Sequence, residues 1–415
     1  MSGLGGAGGA GGAGGAGGAG VPPGGGGAGG VYDAGGGNAG DARLLAEALI
    51  GHRDGIVGSW RLPELVTLNL DNQKLQNLPK PLALDDPAQL WRWEPWVRAT
   101  VFDFELLTNL NFSSPDPSIA MLSHRATAAT AATAASGKDV EIVSLSRPGV
   151  DVFKKQLEWL DFYSDLREDR TAEILCQMGP QVAFWSTLIY LQPSRTPKTL
   201  ELLDTVVRFA IFVELRFKHA IAAQRAIEYS TQVQPMIQTP GHGSLPSGHS
   251  TQAFIIAVVL CALFDAPPGS VFRQQAMRQA YRVAVNRTVA GVHFPIDSIA
   301  GHVLGTSLGE YFVARCRRKV DGGGTITSRQ FKGKDIDAND SRGNPDFDYH
   351  EPLSDKDVTT YIANKPGMNE EQARAYFSFI GWESKEKDVD GSDILWWLWN
   401  QAKSEWTGKS LENTR

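Results

Sequence analysis

Three separated stretches of this sequence hold residue types suited to binding an oxyanion. The first contains Lys218 and Arg225, seven residues apart in a stretch that reads as one helix over 197–228. Seven residues is close to two helical turns, so both cations are expected on one helix face. Two cations aimed at one place need an anion between them, although a pair of solvated surface charges explains them as well when taken alone. The second stretch is Leu245-Pro246-Ser247-Gly248-His249-Ser250. Glycine at 248 lets the backbone pass close to a ligand. A helix starting at His249 turns free N–H groups and the positive end of its dipole toward the same spot. Ser247 adds a hydroxyl, and His249 is placed to give or take a proton. A serine N-cap before a core helix is the plainer explanation. The third stretch runs from Arg287 through His293 to Asp297. Asp297, four residues after His293, can hydrogen-bond one imidazole nitrogen and fix the tautomer, which frees the other nitrogen as nucleophile or metal ligand. Arg287 offers a bidentate fork to an oxyanion. A buried histidine paired for structure is the plainer reading of that stretch.

Positioning these residues falls to helices. Periodicity predicts helices over Ala42–Ile50, Val152–Phe162, Asp165–Met178, 197–228, His249–Phe264, from Val271 to about Val285, and from Pro295 to about Arg318. Proline and glycine mark Thr231–Gly248 as a loop. Ser114–Ser118 and Ala126–Gly137 read as connections, Val320–Asp348 as a Gly- and Asp-rich linker, and Ser354–Ala363, Asn369–Ile380 and Asp393–Trp406 as short helical pieces. Strand signals are sparse, so the expected class is mainly α. Residues 1–40 are Gly/Ala-rich, which predicts a disordered tail. A nucleotide-cradling loop fails there, because no strand precedes it and no Lys-Ser/Thr follows. The expected organisation is this tail, a catalytic domain over 41–320, and a linker with C-terminal helical extension over 321–415.

The 415 residues are 42% apolar and 21% charged, ordinary for one large globular domain or two smaller ones. A net charge of −6 without a basic block argues against nucleic acid as a partner. Cys176, Cys261 and Cys316 form no CxxC pair and are expected as isolated buried thiols. The longest apolar run, Ala253–Phe264, is too short for a membrane span. No basic region followed by an apolar one opens the sequence, so a cytoplasmic location is expected. Trp91, Trp93, Trp96, Phe102 and Phe104 read as a core or interface cluster, and Trp396, Trp397, Trp399 and Trp406 as a segment that docks on the main domain or a second copy. Asp335, Asp337 and Asn339 begin like a calcium loop, but Asp340 and Asp346 stand where glycine and glutamate belong, which leaves a solvated acidic linker.

Taken in order, Lys-x6-Arg, Pro-Ser-Gly-His and Arg-x5-His-x3-Asp resemble the three-part motif of the type 2 phosphatidic acid phosphatase superfamily, which includes the vanadium haloperoxidases. The resemblance spans Lys218 to Asp297, about a fifth of the chain. It departs at Ala226, where proline is usual, and at Asn286, where the phosphatases commonly have serine. The resemblance implies a helical-bundle core and a vanadate (orthovanadate) cofactor, with phosphate able to occupy the same site. It implies that His293 bonds to vanadium, or attacks phosphorus in the phosphatase version. Lys218, Arg225, Ser247, the Gly248 N–H and Arg287 would then bind the equatorial oxygens, with His249 as general acid–base and Asp297 orienting His293. His242, seven residues before His249, resembles a second histidine of vanadium bromoperoxidases, though an ordinary loop histidine explains it equally. That favours a haloperoxidase taking hydrogen peroxide, a halide (bromide over chloride) and a small organic acceptor, with a homo-oligomer possible. The run Gly291 to Asp297 looks like the phosphatase version, so a soluble acid phosphatase working through a phosphohistidine at His293 is the alternative. A vestigial anion pocket in an interaction protein is the third reading.

Overall fold

The computed structural model describes residues 46–51, 82–125, 139–179, 181–340 and, with short interruptions, 343–407. The expected tail over 1–40, the connection over 126–137 and parts of 354–380 lie outside the described residues. Two compact units are present, residues 17–98 and a larger one dominated by residues 99–415. In the smaller unit, residues 46–51 are helical and Pro87–Arg92 is a 3-10 turn. Asp86 caps that turn, its carboxylate accepting from Ala88 N at 2.9 Å.

In chain order the helices are α1 (Pro95–Leu107), α2 (Val150–Ser164), α3 (Arg167–Cys176), α4 (Val182–Trp185), α5 (Pro197–Ile221), α6 (Ala226–Tyr229), α7 (Gly248–Leu263), α8 (Val271–Val289), α9 (Pro295–Arg315) and α10 (Asp393–Ser404). The strands are β1 (Leu110–Asp116), β2 (Ile119–His124), β3 (Val140–Ser146), β4 (Gly324–Ile326), β5 (Arg329–Lys332), β6 (Ile380–Trp382) and β7 (Lys387–Val389). The fold is mainly α, as expected, with a helical core.

α7 and α9 sit at the centre, because both are buried on nearly every side. Gly301, Gly305 and Gly309 recur every fourth residue along the α9 face that meets α7. A Cβ at 305 would lie 2.5 Å from Thr251 O, and one at 301 would lie 2.7 Å from Ser247 O. Backbone therefore meets backbone along this seam, and it brings Ser247 against the start of α9. Gly305→Ala has nowhere to place its methyl group, so overpacking should lower stability by about 1–3 kcal/mol, read as a lower urea midpoint.

The structure corrects the strand-poor expectation. A five-stranded sheet runs β1-β2-β3-β5-β6, and β4 pairs with β7. β3 and β5 are parallel, with Val143 opposite Arg329, and the other neighbours are antiparallel. Ser114–Asp116, expected as loop, completes β1, and the expected linker over 320–348 contains β4 and β5. These strands hide from a pattern search for physical reasons. β1 is a largely exposed edge with a proline in it, β4 and β5 are three and four residues long, and the buried end of β3 shows no alternation. The sheet is fixed to α9 through His124 Nδ1 and the Tyr311 hydroxyl, 3.0 Å apart.

The aromatic segments divide. Phe102 is fully buried and stacks on Trp397 of α10 at 6.4 Å between centroids. Trp91, Trp93, Trp96 and Phe104 are exposed, which removes the core half of the core-or-interface expectation for them. α10 docks along α5, where the Glu405 carboxylate just beyond it accepts from Lys198 N at 2.7 Å and Thr199 N at 2.8 Å. It thereby satisfies free N–H groups at the α5 start and opposes the helix dipole. Among the thiols, Cys261 and Cys316 are buried, whereas Cys176 is exposed, contrary to expectation.

Candidate oxyanion site

The single helix expected over 197–228 is broken. α5 stops at Ile221, and Ala222 turns left-handed with φ 49°. That conformation costs about 1–2 kcal/mol for a residue with a Cβ. The break redirects the chain so that Arg225 becomes the N-cap residue of the short α6, its N–H donating to Glu228 Oε2 at 2.6 Å. Lys218 and Arg225 therefore reach one region from two elements rather than one helix face. Ala226 occupies the first position of α6, whose N–H has no partner inside the helix. This is why proline suits the position and why alanine is tolerated there.

Lys218 is buried and holds the loop that leads to Ser247. Its ammonium donates to Gly243 O at 3.1 Å and Ser244 O at 2.9 Å. Burial and the nearby Arg225 lower its pKa to about 7. Arg225 brackets two loops. Nε donates to His242 O at 2.9 Å and Nη1 to Val292 O at 2.8 Å, while Nη1 lies 3.1 Å from His293 Nε2 and Nη2 lies 3.1 Å from His242 Nδ1. A guanidinium only donates, so His293 Nε2 carries a lone pair. His293 Nδ1 must then carry the proton, which it donates to Asp297 Oδ2 at 3.0 Å. The orienting role read for Asp297 thus has its geometry.

Asp297 is fully buried in the first turn of α9, and burial raises its pKa. Oδ2 also accepts from Phe294 N at 3.0 Å and from the Ser244 hydroxyl, whereas Oδ1 has no partner. Ser247 caps α7, its hydroxyl accepting from Ser250 N at 3.4 Å. Its own N–H donates to Asp297 O at 2.8 Å, which fixes the α7 start against the α9 start. Gly248 is required by a neighbour not foreseen from sequence. A Cβ there would lie 2.6 Å from Oε1 of Glu214, a buried carboxyl that Gln252 Nε2 holds at 2.9 Å. Burial raises the Glu214 pKa to about 7, opposed by Lys218.

Arg287 is almost wholly buried at the end of α8. Nη2 donates to Gln177 Oε1 at 2.9 Å and Ile174 O at 3.3 Å, while Nε and Nη1 are buried with no partner. His249 is partly buried, with Nε2 2.9 Å from Gln177 O. A carbonyl only accepts, so Nε2 carries the proton and Nδ1 the lone pair. Asn286, the departure from serine, donates to Gln177 Oε1 at 3.0 Å and accepts from Arg170 at 3.0 Å. Gln177, Glu214 and Ser244 were not singled out from sequence. Glu214 was the most accessible of them, since it lies one turn before Lys218.

Burial and the three cations keep the imidazoles of His242, His249 and His293 neutral. Burial and then Arg287 push His249 down to about 3, burial and then Lys218 push His242 down to about 4, and burial and then Arg225 hold His293 well below its ordinary value. Outside the site, burial pushes His302 down to about 3. Such a group is neutral when folded and takes up a proton near pH 6.5 when unfolded. Stability is therefore full above pH 6.5 and falls as the pH drops toward the folded values. The buried His302 alone should cost about 2 kcal/mol at pH 5 relative to pH 8. Urea midpoints measured from pH 8 to pH 5 should fall accordingly.

A groove of about 430 Å³ opens beside Arg225 and His242, lined also by Ile227, Glu228, Pro240 and Gly243. Residues 205–320 match the PAP2 superfamily, a segment that takes in most of α5 and all of α6 to α9. No curated protein matches the chain. Among solved structures, it is similar to a transmembrane PAP2-type phosphatidylglycerolphosphate phosphatase from Bacillus subtilis, at 16% identity over 54% of this chain and 92% of that one. It is also similar to a bacterial vanadium-dependent iodoperoxidase, at 15% identity over 56% of this chain and half of that one. The TM-score is 0.23 in both cases.

Proposed function

We propose that the PAP2 superfamily domain of residues 205–320 forms a vanadate-dependent haloperoxidase centre, oxidising a halide, bromide over chloride, with hydrogen peroxide. The observation that carries this reading is the Arg287 guanidinium, buried with two nitrogens unpartnered, in a cluster whose imidazoles are kept neutral by burial and by the nearby cations. Buried donors without acceptors are costly unless an anion completes them. An oxyanion fits this donor set. Arg287 Nε and Nη1, the hydroxyl of Ser247, the Gly248 N–H and the remaining protons of Lys218 and Arg225 would hold its oxygens, and the His293 Nε2 lone pair would ligate vanadium. His242, hydrogen-bonded to Arg225, adds a second imidazole beside His293 and favours the haloperoxidase over the phosphatase.

Bound vanadate supplies an oxidised Lewis-acid centre that activates peroxide toward halide. The chain supplies the rest. Asp297 keeps the His293 proton on Nδ1, so Nε2 stays available to the metal. His249 Nδ1 accepts the proton released by the incoming peroxide, and negative charge in the site raises its basicity by offsetting Arg287. Lys218 and Arg225 neutralise that charge while bracing both loops. The groove beside His242 is where a small organic acceptor would meet the hypohalous product.

Dialysis of the protein against orthovanadate, followed by peroxide-dependent bromination beside p-nitrophenyl phosphate hydrolysis, tests the reading. Bromination should appear only after vanadate and should be suppressed by phosphate. Hydrolysis without bromination would transfer the site to the second reading, a phosphomonoesterase. There the bound phosphate's charge would let His249 Nδ1 take up a proton from solvent; His293 Nε2 attacks phosphorus, the ester oxygen departs with that proton, and water then cleaves the P–N bond as His249 takes its proton back. The run Gly291 to Asp297 favours that alternative.

A further inference from the structure

Gln177 stands outside all three motif stretches, yet Arg287, Asn286 and His249 all converge on it. It lies just past α3, fully buried. Oε1 accepts from Arg287 Nη2 at 2.9 Å and Asn286 Nδ2 at 3.0 Å, and Nε2 donates to Glu173 Oε1 at 3.2 Å. Its backbone carbonyl accepts from His249 Nε2 at 2.9 Å. Two donors on the oxygen and a carboxylate on the nitrogen leave only one way round for the amide.

We propose that Gln177 is a positioning residue of the oxyanion site, a neutral clamp that aims Arg287 while fixing which nitrogen of His249 exchanges protons. The inference rests on the oxyanion reading of the site. Neutrality is the essential property. A carboxylate at this position would pair with Arg287 through a charge-assisted fork and compete with the ligand for it. An amide oxygen orients Nη2 without cancelling the guanidinium charge, so Nε and Nη1 keep their full attraction for an anion. The carbonyl of the same residue holds the His249 proton on Nε2, which leaves Nδ1 as the working nitrogen. One residue thus sets the aim of an anion donor and the tautomer of a proton carrier. The charged groups facing this position are Glu173 from α3, paired with Arg282 of α8; Arg170 from α3, bonded to Asn286; Arg287 from α8; and His249 from α7.

The test uses the full chain without vanadate and inorganic phosphate as the probe. Binding is measured by calorimetry from pH 5 to pH 8 on the wild type, Gln177→Glu and Gln177→Met, and the His249 tautomer is read from 15N imidazole shifts. Gln177→Glu should weaken phosphate binding about 10-fold or more across the whole pH range, because pairing with Arg287 keeps the introduced carboxyl ionised. Gln177→Met, similar in size but without an acceptor for Arg287, should weaken binding less, about 3- to 10-fold. In all three proteins His249 should remain protonated on Nε2, because the backbone carbonyl is unchanged. Wild-type binding with both variants within about twofold of it across the pH range would overturn the positioning role, as would a wild-type His249 protonated on Nδ1. Failure of the wild type to bind either phosphate or orthovanadate would instead remove the oxyanion reading itself, so the two failures are distinguishable.

Discussion

His293→Ala should abolish vanadate-dependent bromination, with a fall of at least ~10³-fold and no vanadium retained after desalting. The size of the effect follows from position. His293 Nε2 is the one imidazole nitrogen whose lone pair is assured from both sides, since Asp297 takes the Nδ1 proton and Arg225 approaches Nε2 as a donor. The neighbouring imidazoles are held in other places, His242 through Nδ1 beside Arg225 and His249 through Nε2 on Gln177 O. The variant should still fold, because the lost ring leaves Asp297 bonded to Phe294 N and Ser244. Far-UV circular dichroism and vanadium analysis together separate loss of the ligand from loss of the structure. Retention of vanadium and activity near the wild-type level would remove His293 from the site.

The second large effect belongs to His249. His249→Ala should lower turnover about 10²–10⁴-fold, the range for losing a positioned acid–base group. Vanadium content should stay near that of the wild type, because the ring contributes no metal ligand in this scheme and Ser247 still caps α7. This divergence between content and turnover separates an enzyme from a protein that merely holds an anion. Unaltered turnover in this variant would favour a binding role and leave the proton-transfer function without a residue.

Most of the long helices were legible in the sequence, although α1 was hidden in a stretch read only as an aromatic cluster, and so was the polarity of the site. Periodicity placed α7 and α9 within a few residues, and the four-residue spacing of His293 and Asp297 anticipated their hydrogen bond. Other features could not be read because they depend on contacts distant along the chain. Arg225 was assigned to the same helix as Lys218, since nothing in an Ala-Ala-Gln run announces the left-handed turn at Ala222. Gln177 carries no charge and belongs to no motif, and its importance arises only where α3 meets the starts of α7 and the end of α8. Gly248 was read as room for a ligand, whereas its absent side chain also makes room for Glu214. Sequence spacing therefore identified which charges are present. It did not identify the neutral groups that aim them or the carboxyls that balance them.

The parallel pairing of β3 with β5 joins residue 143 to residue 329, long after the last cation of the site has been synthesised. During translation the anion-binding helices are complete while β3, with Ile142, Val143 and Leu145 all destined for the interior, still lacks one of its flanks. A bare strand edge of that kind recruits other chains. A chain shortened to residue 320 would hold the whole chemical apparatus with the β3 edge uncovered, and it should precipitate more readily than the full chain.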